Sequence, residues 1–335
     1  MNLPTGVGTG IGSMPGTDPR ETAAIINGEL DFPHLAELPA RGAGADMIGR
    51  MAAILVDLPM DAGVTGYRLA GRGSGLARRA RDFLRADLDA IEELWDTAGF
   101  IGSGRPVKIQ LAGPFTLSAS VELPNGHKAL RDTGAWRDVV ASTAEGAHEL
   151  VAEVTRRLGA EVIVQLDEPM IGSVIDGAVT PLTRFDTIRA VPVQDVVESL
   201  TQIIEYVDRP VVVHSCAAPR WDLVEKLRGV AWSLDVTAPD SAALDGIGGL
   251  IDRGDVLIAG VVPSARGGRD VRAETVATGL AGLVDRIGLN RKVLAQNILV
   301  SPTCGLAGAT PEWAKSALGI CAKAGELLGA DPDAL

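Results

Sequence analysis

From residue 105 onward, apolar and polar positions alternate between two periods. Short runs of β-branched and aliphatic residues stand at 107–112, 161–166, 210–213, 231–234, 256–262 and 293–300. Each precedes a longer stretch whose apolar positions recur at helical spacing: 136–158, 193–207, 221–227, 241–252, 271–287 and 311–328. The first kind reads as a strand buried on both faces, the second as an amphipathic helix. Upstream the rhythm is weaker. Residues 7–11 predict a first strand that leaves through Gly12-Ser13-Met14-Pro15-Gly16, and 34–37 predict a brief second one. Pro19 opens a helix over 20–30, since proline suits the first helical turn. A further helix is predicted over 46–57, and 76–98 is a strongly amphipathic helix with mixed charges on its outer face. Residues 59–75 are Gly-rich and aperiodic, an excursion from the pattern. Counting the weak second strand, the order predicts one α/β domain over residues 1–335, a single (β/α)8 TIM barrel. An open doubly wound sheet is the alternative, but no Gly-x-Gly-x-x-Gly follows a strand.

Composition narrows the function. A hydrophobic fraction of 46% supports a large core, and an aromatic fraction of 4% makes that core aliphatic. The net charge of −12 argues against a nucleic-acid partner, which needs a basic face. Three Cys without paired spacing suit a reducing compartment in which thiols stay free for metal. The N-terminal residues lack the basic and apolar regions of a signal peptide. No run of about 18 apolar residues occurs, so a cytoplasmic protein without a membrane partner is expected.

The chemistry gathers at strand ends, where β/α barrels carry their catalytic groups. Val211-Val212-Val213-His214-Ser215-Cys216 is an apolar run ending in two metal ligands. Residues i and i+2 of a strand share a face, so His214 and Cys216 can grip one ion if the strand continues through them. Cys304 lies just past another apolar run. Imidazole and thiolates are the preferred ligands of zinc, and three protein ligands with an open fourth position describe a catalytic site. The competing reading is a hydrogen-bonded core histidine with two buried thiols. Asp235, ending the 231–234 strand, is a fourth ligand or a helix cap ahead of Pro239. Ser13 and Glu37 stand at the ends of the first two strands, either as site residues or as a turn cap and a loop carboxylate. Asp167 and Glu168, ahead of Pro169, are either functional carboxylates or acceptors for backbone amides at a helix start. Surface or core roles are expected for His127 and His148, and packing for Cys321. Arg41, Arg72 and Arg266 lie in loops, and nothing in the sequence selects among them.

Ordered landmarks resemble the C-terminal catalytic barrel of the cobalamin-independent methionine synthases and, more loosely, the uroporphyrinogen decarboxylase superfold. Thr9-Gly10-Ile11-Gly12-Ser13-Met14-Pro15 is similar to the family's opening Ile-Gly-Ser segment, and Ala112-Gly113-Pro114-Phe115-Thr116 to its Gly-Pro-x-Thr turn. Gln165-Leu166-Asp167-Glu168-Pro169 resembles its Gln-x-Asp-Glu-Pro, His214-Ser215-Cys216 its zinc-binding His-x-Cys, and Ser301-Pro302-Thr303-Cys304-Gly305-Leu306 the segment of its last zinc Cys. The resemblance implies Zn²⁺ on His214, Cys216 and Cys304, with Asp235 where the family has a Glu ligand. It implies a homocysteine site made by Ile11, Gly12, Ser13, Glu37 and Asp167, with Asp167 on the amino group. Two departures bear on the methyl donor. The family's proposed general acid is a His after the seventh strand, whereas Gly260-Val261-Val262-Pro263-Ser264-Ala265-Arg266 contains none. The aromatic that stacks on folate has no counterpart in Leu117-Ser118-Ala119-Ser120-Val121. A single barrel of this kind is expected to take its methyl group from a corrinoid or corrinoid protein rather than from methyltetrahydrofolate.

The expected reaction is methyl transfer to a thiol. A free thiol is mostly protonated at neutral pH, and metal coordination removes its proton. Asp167 and Asp235 are the expected catalytic carboxylates, the second as an exchangeable ligand. The alternatives are a zinc hydrolase with Asp167 or Glu168 as base and a non-catalytic zinc or small-molecule binding barrel.

Overall fold

The structure, a computed structural model, describes residues 3–64, 66–73, 75–266 and 271–335. In chain order its elements begin with α1 (Pro19–Glu29), α2 (Met51–Ile54), β1 (Met60–Ala62), β2 (Tyr67–Leu69) and α3 (Gly75–Ala98). The regular part runs β3 (Pro106–Ala112), α4 (Pro114–Ser120), α5 (Thr133–Leu158), β4 (Glu161–Asp167), α6 (Ile171–Asp176), α7 (Val193–Val207) and β5 (Val211–Ser215). It continues with α8 (Trp221–Lys226), β6 (Ala231–Asp235), α9 (Ser241–Asp252), β7 (Leu257–Val262), α10 (Ala273–Ile287), α11 (Val293–Asn297), β8 (Ile298–Pro302) and α12 (Pro311–Ala330).

Strands β3 to β8 form one parallel sheet in sequential order, curled into a half-barrel. Alternation along each strand separates two cores. Val211, Val213, Trp232, Leu234, Leu257, Ala259, Ile298 and Val300 face the helices, while Val212, Ala231, Ile258 and Leu299 pack inside the curl with Ile163 and Phe32. Two residues further along, the inner face turns polar at Gln165, Ser233 and Ser301, all buried. The curl is therefore apolar at the N-terminal ends of its strands and polar towards the C-terminal ends. Several helix starts are set by side-chain caps: Asp18 for α1, Asp132 for α5, Asp240 for α9 and Thr310 for α12 each accept a backbone N–H.

Four expectations are corrected. Eight ladder strands were predicted, but among the described residues the parallel sheet has six. Residues 7–14 and 33–37 are extended segments held by isolated bridges, Gly8 to Val300, Ser13 to Glu37 and His34 to Lys108. They span the opening between β8 and β3 through isolated pairs of bonds: Thr9 N to Val300 O (2.9 Å) with Val300 N to Val7 O (3.1 Å), and Leu35 N to Lys108 O (2.8 Å) with Lys108 N to Pro33 O (2.9 Å). Pro33 has no N–H to give, and the glycines at 6, 8, 10 and 12 weaken a regular ladder. Second, the 46–57 helix shrinks to α2, because the Asp46 carboxylate accepts from the N–H groups of Ile48 and Gly49 and makes a turn instead. Third, the 59–75 excursion contains the antiparallel pair β1–β2, with Thr65 and Ser74 outside the described residues. The last predicted strand also starts late, since 293–297 is the short helix α11. Among the described residues no helix is long and apolar enough to cross a membrane.

Candidate metal and substrate site

Strands β4, β5 and β6 lie side by side with Asp167 beside His214 and His214 beside Ser233 in register. His214 is buried at the end of β5, and its Nδ1 lies 2.9 Å from the Ser233 hydroxyl. That partner orients the ring and leaves Nε2 for a ligand. Cys216 follows one residue beyond β5, and Cys304 two residues beyond β8. The ligand atoms of His214, Cys216 and Cys304 all lie within 4.8 Å of one another. The Cys216 thiol and His214 hold Cys304 far below the usual thiol range, at about 4, whereas the facing sulfur pushes Cys216 up. Two sulfurs and an imidazole nitrogen already face a common centre. This nitrogen and two-sulfur set fits zinc, and both cysteines are only partly buried, so a further ligand has access.

The carboxylates divide sharply. Glu168 is fully buried and accepts from Phe115 N (2.9 Å), Thr116 N (2.8 Å) and Thr116 Oγ1 (2.7 Å). It caps α4, and burial raises it to about 7 against the pull of those donors. The backbone-amide reading thus holds for Glu168 alone. Asp167, one residue earlier, has the opposite orientation that a strand imposes. Burial raises its pKa, while His214 and Lys108 lower it. Glu37 is also buried and is raised to about 8 by burial, with Arg50 opposing and the charge of Asp167 adding to the rise.

Ile11, Gly12 and Ser13 reach the same end of the sheet. The Ile11 carbonyl accepts from Lys108 Nζ and Gln165 Nε2, both at 2.9 Å. A Cβ on Gly12 would sit 2.6 Å from the Gln110 side chain, so only glycine fits there. The Ser13 hydroxyl abuts Gly305, where a Cβ would lie 2.0 Å from Oγ, and Leu306 N donates to Ser13 O at 2.8 Å. Ser13 therefore stands beside Gly305, the residue that follows Cys304.

Asp235 is the exception. Alternation puts it on the face of Ser233, but it is exposed at the end of β6 and Oδ1 accepts from Thr237 N (2.9 Å) and Oγ1 (2.7 Å). Among the described residues it is outside the ligand group. The turn made by its own side chain has taken the carboxylate away.

The remaining residues behave as structure. Cys321 is wholly buried and packs against Gly8. His127 pairs with Asp186 at 3.1 Å, and His148 makes an edge contact with Tyr206. Arg41 is tied in a two-pronged pair to Asp87, both bonds 2.8 Å. The residues missed from sequence are Ser233, Lys108, Gln110 and Arg50. Only Lys108 left a signal, a charge in the middle of an apolar strand.

A match to the family model described as cobalamin-independent synthase, catalytic domain, runs over residues 3–326. The chain belongs to this family. It is a methyltransferase of the methionine synthase family. The fold agrees with a solved structure of a B12-independent methionine synthase from Shewanella sp. W3-18-1 in complex with selenomethionine, at 14% identity and a TM-score of 0.62. That match covers 99% of this chain and 100% of the other. Weaker likenesses join it to a GH113 β-1,4-mannanase (13% identity, TM-score 0.43, covering 98% of each chain) and to Dispersin B (10%, 0.44, covering 96% of this chain and 98% of the other). No curated protein matches the chain. The family's description as cobalamin-independent counts against the corrinoid donor expected from the sequence.

Proposed function

We propose that the chain transfers a methyl group to the thiol of homocysteine, with zinc held by His214, Cys216 and Cys304. The observation that carries this reading is the meeting of the His/Cys/Cys group with Ser13 and Asp167 at one end of the sheet. When bound there, zinc supplies a Lewis acid that keeps a substrate thiol deprotonated at neutral pH. Asp167 and Glu37 offer carboxylates to the α-ammonium of the acceptor, and the Ser13 hydroxyl faces its carboxylate. Fixing both groups orients the sulfur and removes much of the entropic cost of the encounter. A site with two thiol ligands suits the reducing cytoplasm.

Family membership favours a donor of the methyltetrahydrofolate class. One observation favours a methyl-corrinoid instead: residues 260–266 hold no His to protonate a departing amine, help worth roughly two to four orders of magnitude. Hydrolysis ranks below either transfer, because Glu168 is committed to its cap and two thiolates make zinc a weak activator of water.

The test offers zinc-loaded protein L-homocysteine with methyltetrahydrofolate, as mono- and polyglutamate, or with methylcobalamin, and measures methionine by mass spectrometry. Methionine formation that Cys216→Ser abolishes is the expected result, and the productive donor identifies the donor class. Bound zinc with no methionine from any donor would overturn the reading.

A further inference from the structure

Lys108 is a fully buried lysine on the inner face of β3, far from anything a surface charge would do. Its Nζ donates to the Ile11 carbonyl at 2.9 Å and to the Gln165 side-chain oxygen. Because Lys108 takes that oxygen, the Gln165 amide can turn only its NH₂ group the other way. That group donates to Asp167 Oδ1 at 2.7 Å and to the Ile11 carbonyl at 2.9 Å. A lysine has donors only, and a glutamine has one face of each kind, so the direction of the whole chain is set at Lys108. One side chain thereby fixes two separate parts of the site: the Asp167 carboxylate, and the backbone that carries Ser13.

We propose that Lys108, acting through Gln165, is a positioning residue that sets how Asp167 holds the amino group of the acceptor. The inference rests on the amino-acid acceptor reading above. A buried lysine is costly unless its donors are paired; burial lowers the Lys108 pKa to about 7, and its N–H groups act on Asp167 through one polarised amide. Asp167 Oδ1 is tied, and Oδ2 is left for the ammonium. Without Lys108 the Gln165 amide is free to flip, which would aim its oxygen at Asp167 and repel the carboxylate. Lys108 itself stays out of reach of the acceptor, because the Gln165 amide lies between it and Asp167.

The experiment uses zinc-loaded protein and isothermal titration with two ligands, L-methionine and its deaminated analogue 4-(methylthio)butanoate. The unsubstituted protein should prefer methionine by about tenfold or more, the scale of one charge-assisted hydrogen bond. Lys108→Met should bring the two ligands within about threefold, with zinc content unchanged, and Gln165→Leu should do the same. The double variant should lose no more than either single one, since both break one chain of contacts. Gln165→Glu keeps the volume and still accepts from Lys108 but faces Asp167 with a like charge; it serves as the second variant if Lys108→Met fails to fold. Retention of the preference in Gln165→Leu and Gln165→Glu would overturn the inference and leave the acceptor reading standing. Absence of any preference in the unsubstituted protein would overturn the acceptor reading and this inference with it.

Discussion

Across two adjacent parallel strands, His214 Nδ1 and Ser233 Oγ are 2.9 Å apart. The contact joins residues nineteen apart in sequence, and it decides which imidazole nitrogen faces the two cysteines. A metal-bound histidine whose second nitrogen is anchored in this way is both oriented and made a better donor.

Replacing Cys216 or Cys304 by Ser should abolish tight zinc binding, while Cys321→Ser should leave it intact. Ser233→Ala should weaken zinc by roughly 10- to 100-fold, as loss of such an anchor does elsewhere. Metal analysis after dialysis against a graded series of chelators measures all four. Equal loss in the three Cys variants would remove the site assignment.

Asp235→Ala should change zinc affinity by less than about threefold, because its carboxylate is engaged by Thr237 rather than by the ligand group. Chelator competition on the variant checks this. A loss comparable to that of Cys304→Ser would mean that Asp235 leaves its turn to take up the metal.

Glu168→Ala should destabilise the fold by about 3 kcal/mol, since it leaves the N–H groups of Phe115 and Thr116 and one hydroxyl buried without their acceptor. Glu168→Gln keeps one acceptor oxygen and should cost less. Urea unfolding gives both values. A neutral Glu168→Ala would show that α4 does not depend on this cap.

Stability should fall in mild acid through His34. The ring is buried, and burial, helped by the charges of Lys108 and Arg50, lowers its pKa from 6.5 to about 3. Between those values the unfolded chain binds a proton there that the folded chain does not. The contribution is therefore intact above pH 6.5 and is lost as pH falls towards 3, at about 1.4 kcal/mol per pH unit. Urea midpoints from pH 7.5 to 4.5 should drop less steeply in His34→Gln. Parallel curves for the two proteins would rule out a buried neutral His34.

Periodicity alone determined much of this protein. The order of strands and helices from 105 onward, the position of ligands at strand ends, and the pairing of His214 with Cys216 were legible, because side-chain alternation and helical spacing are local properties. Contacts between distant segments decided the rest. The first two strands became bridged extended segments because pairing there depends on what β8 and β3 present, beyond the local run of Gly and Pro. Asp235 lay on the right face by parity, yet a hydroxyl two residues further on drew its carboxylate off. Asp167 and Glu168 looked alike as neighbours, and only the arrival of the start of α4 beside Glu168 committed that carboxylate to a helix cap and left Asp167 on the inner face of the sheet. Lys108 read as an anomaly in a strand. Its meaning appeared only when the curl of the sheet brought it to Gln165, fifty-seven residues away, because a sequence shows that a charge is buried but not which partner makes the burial tolerable.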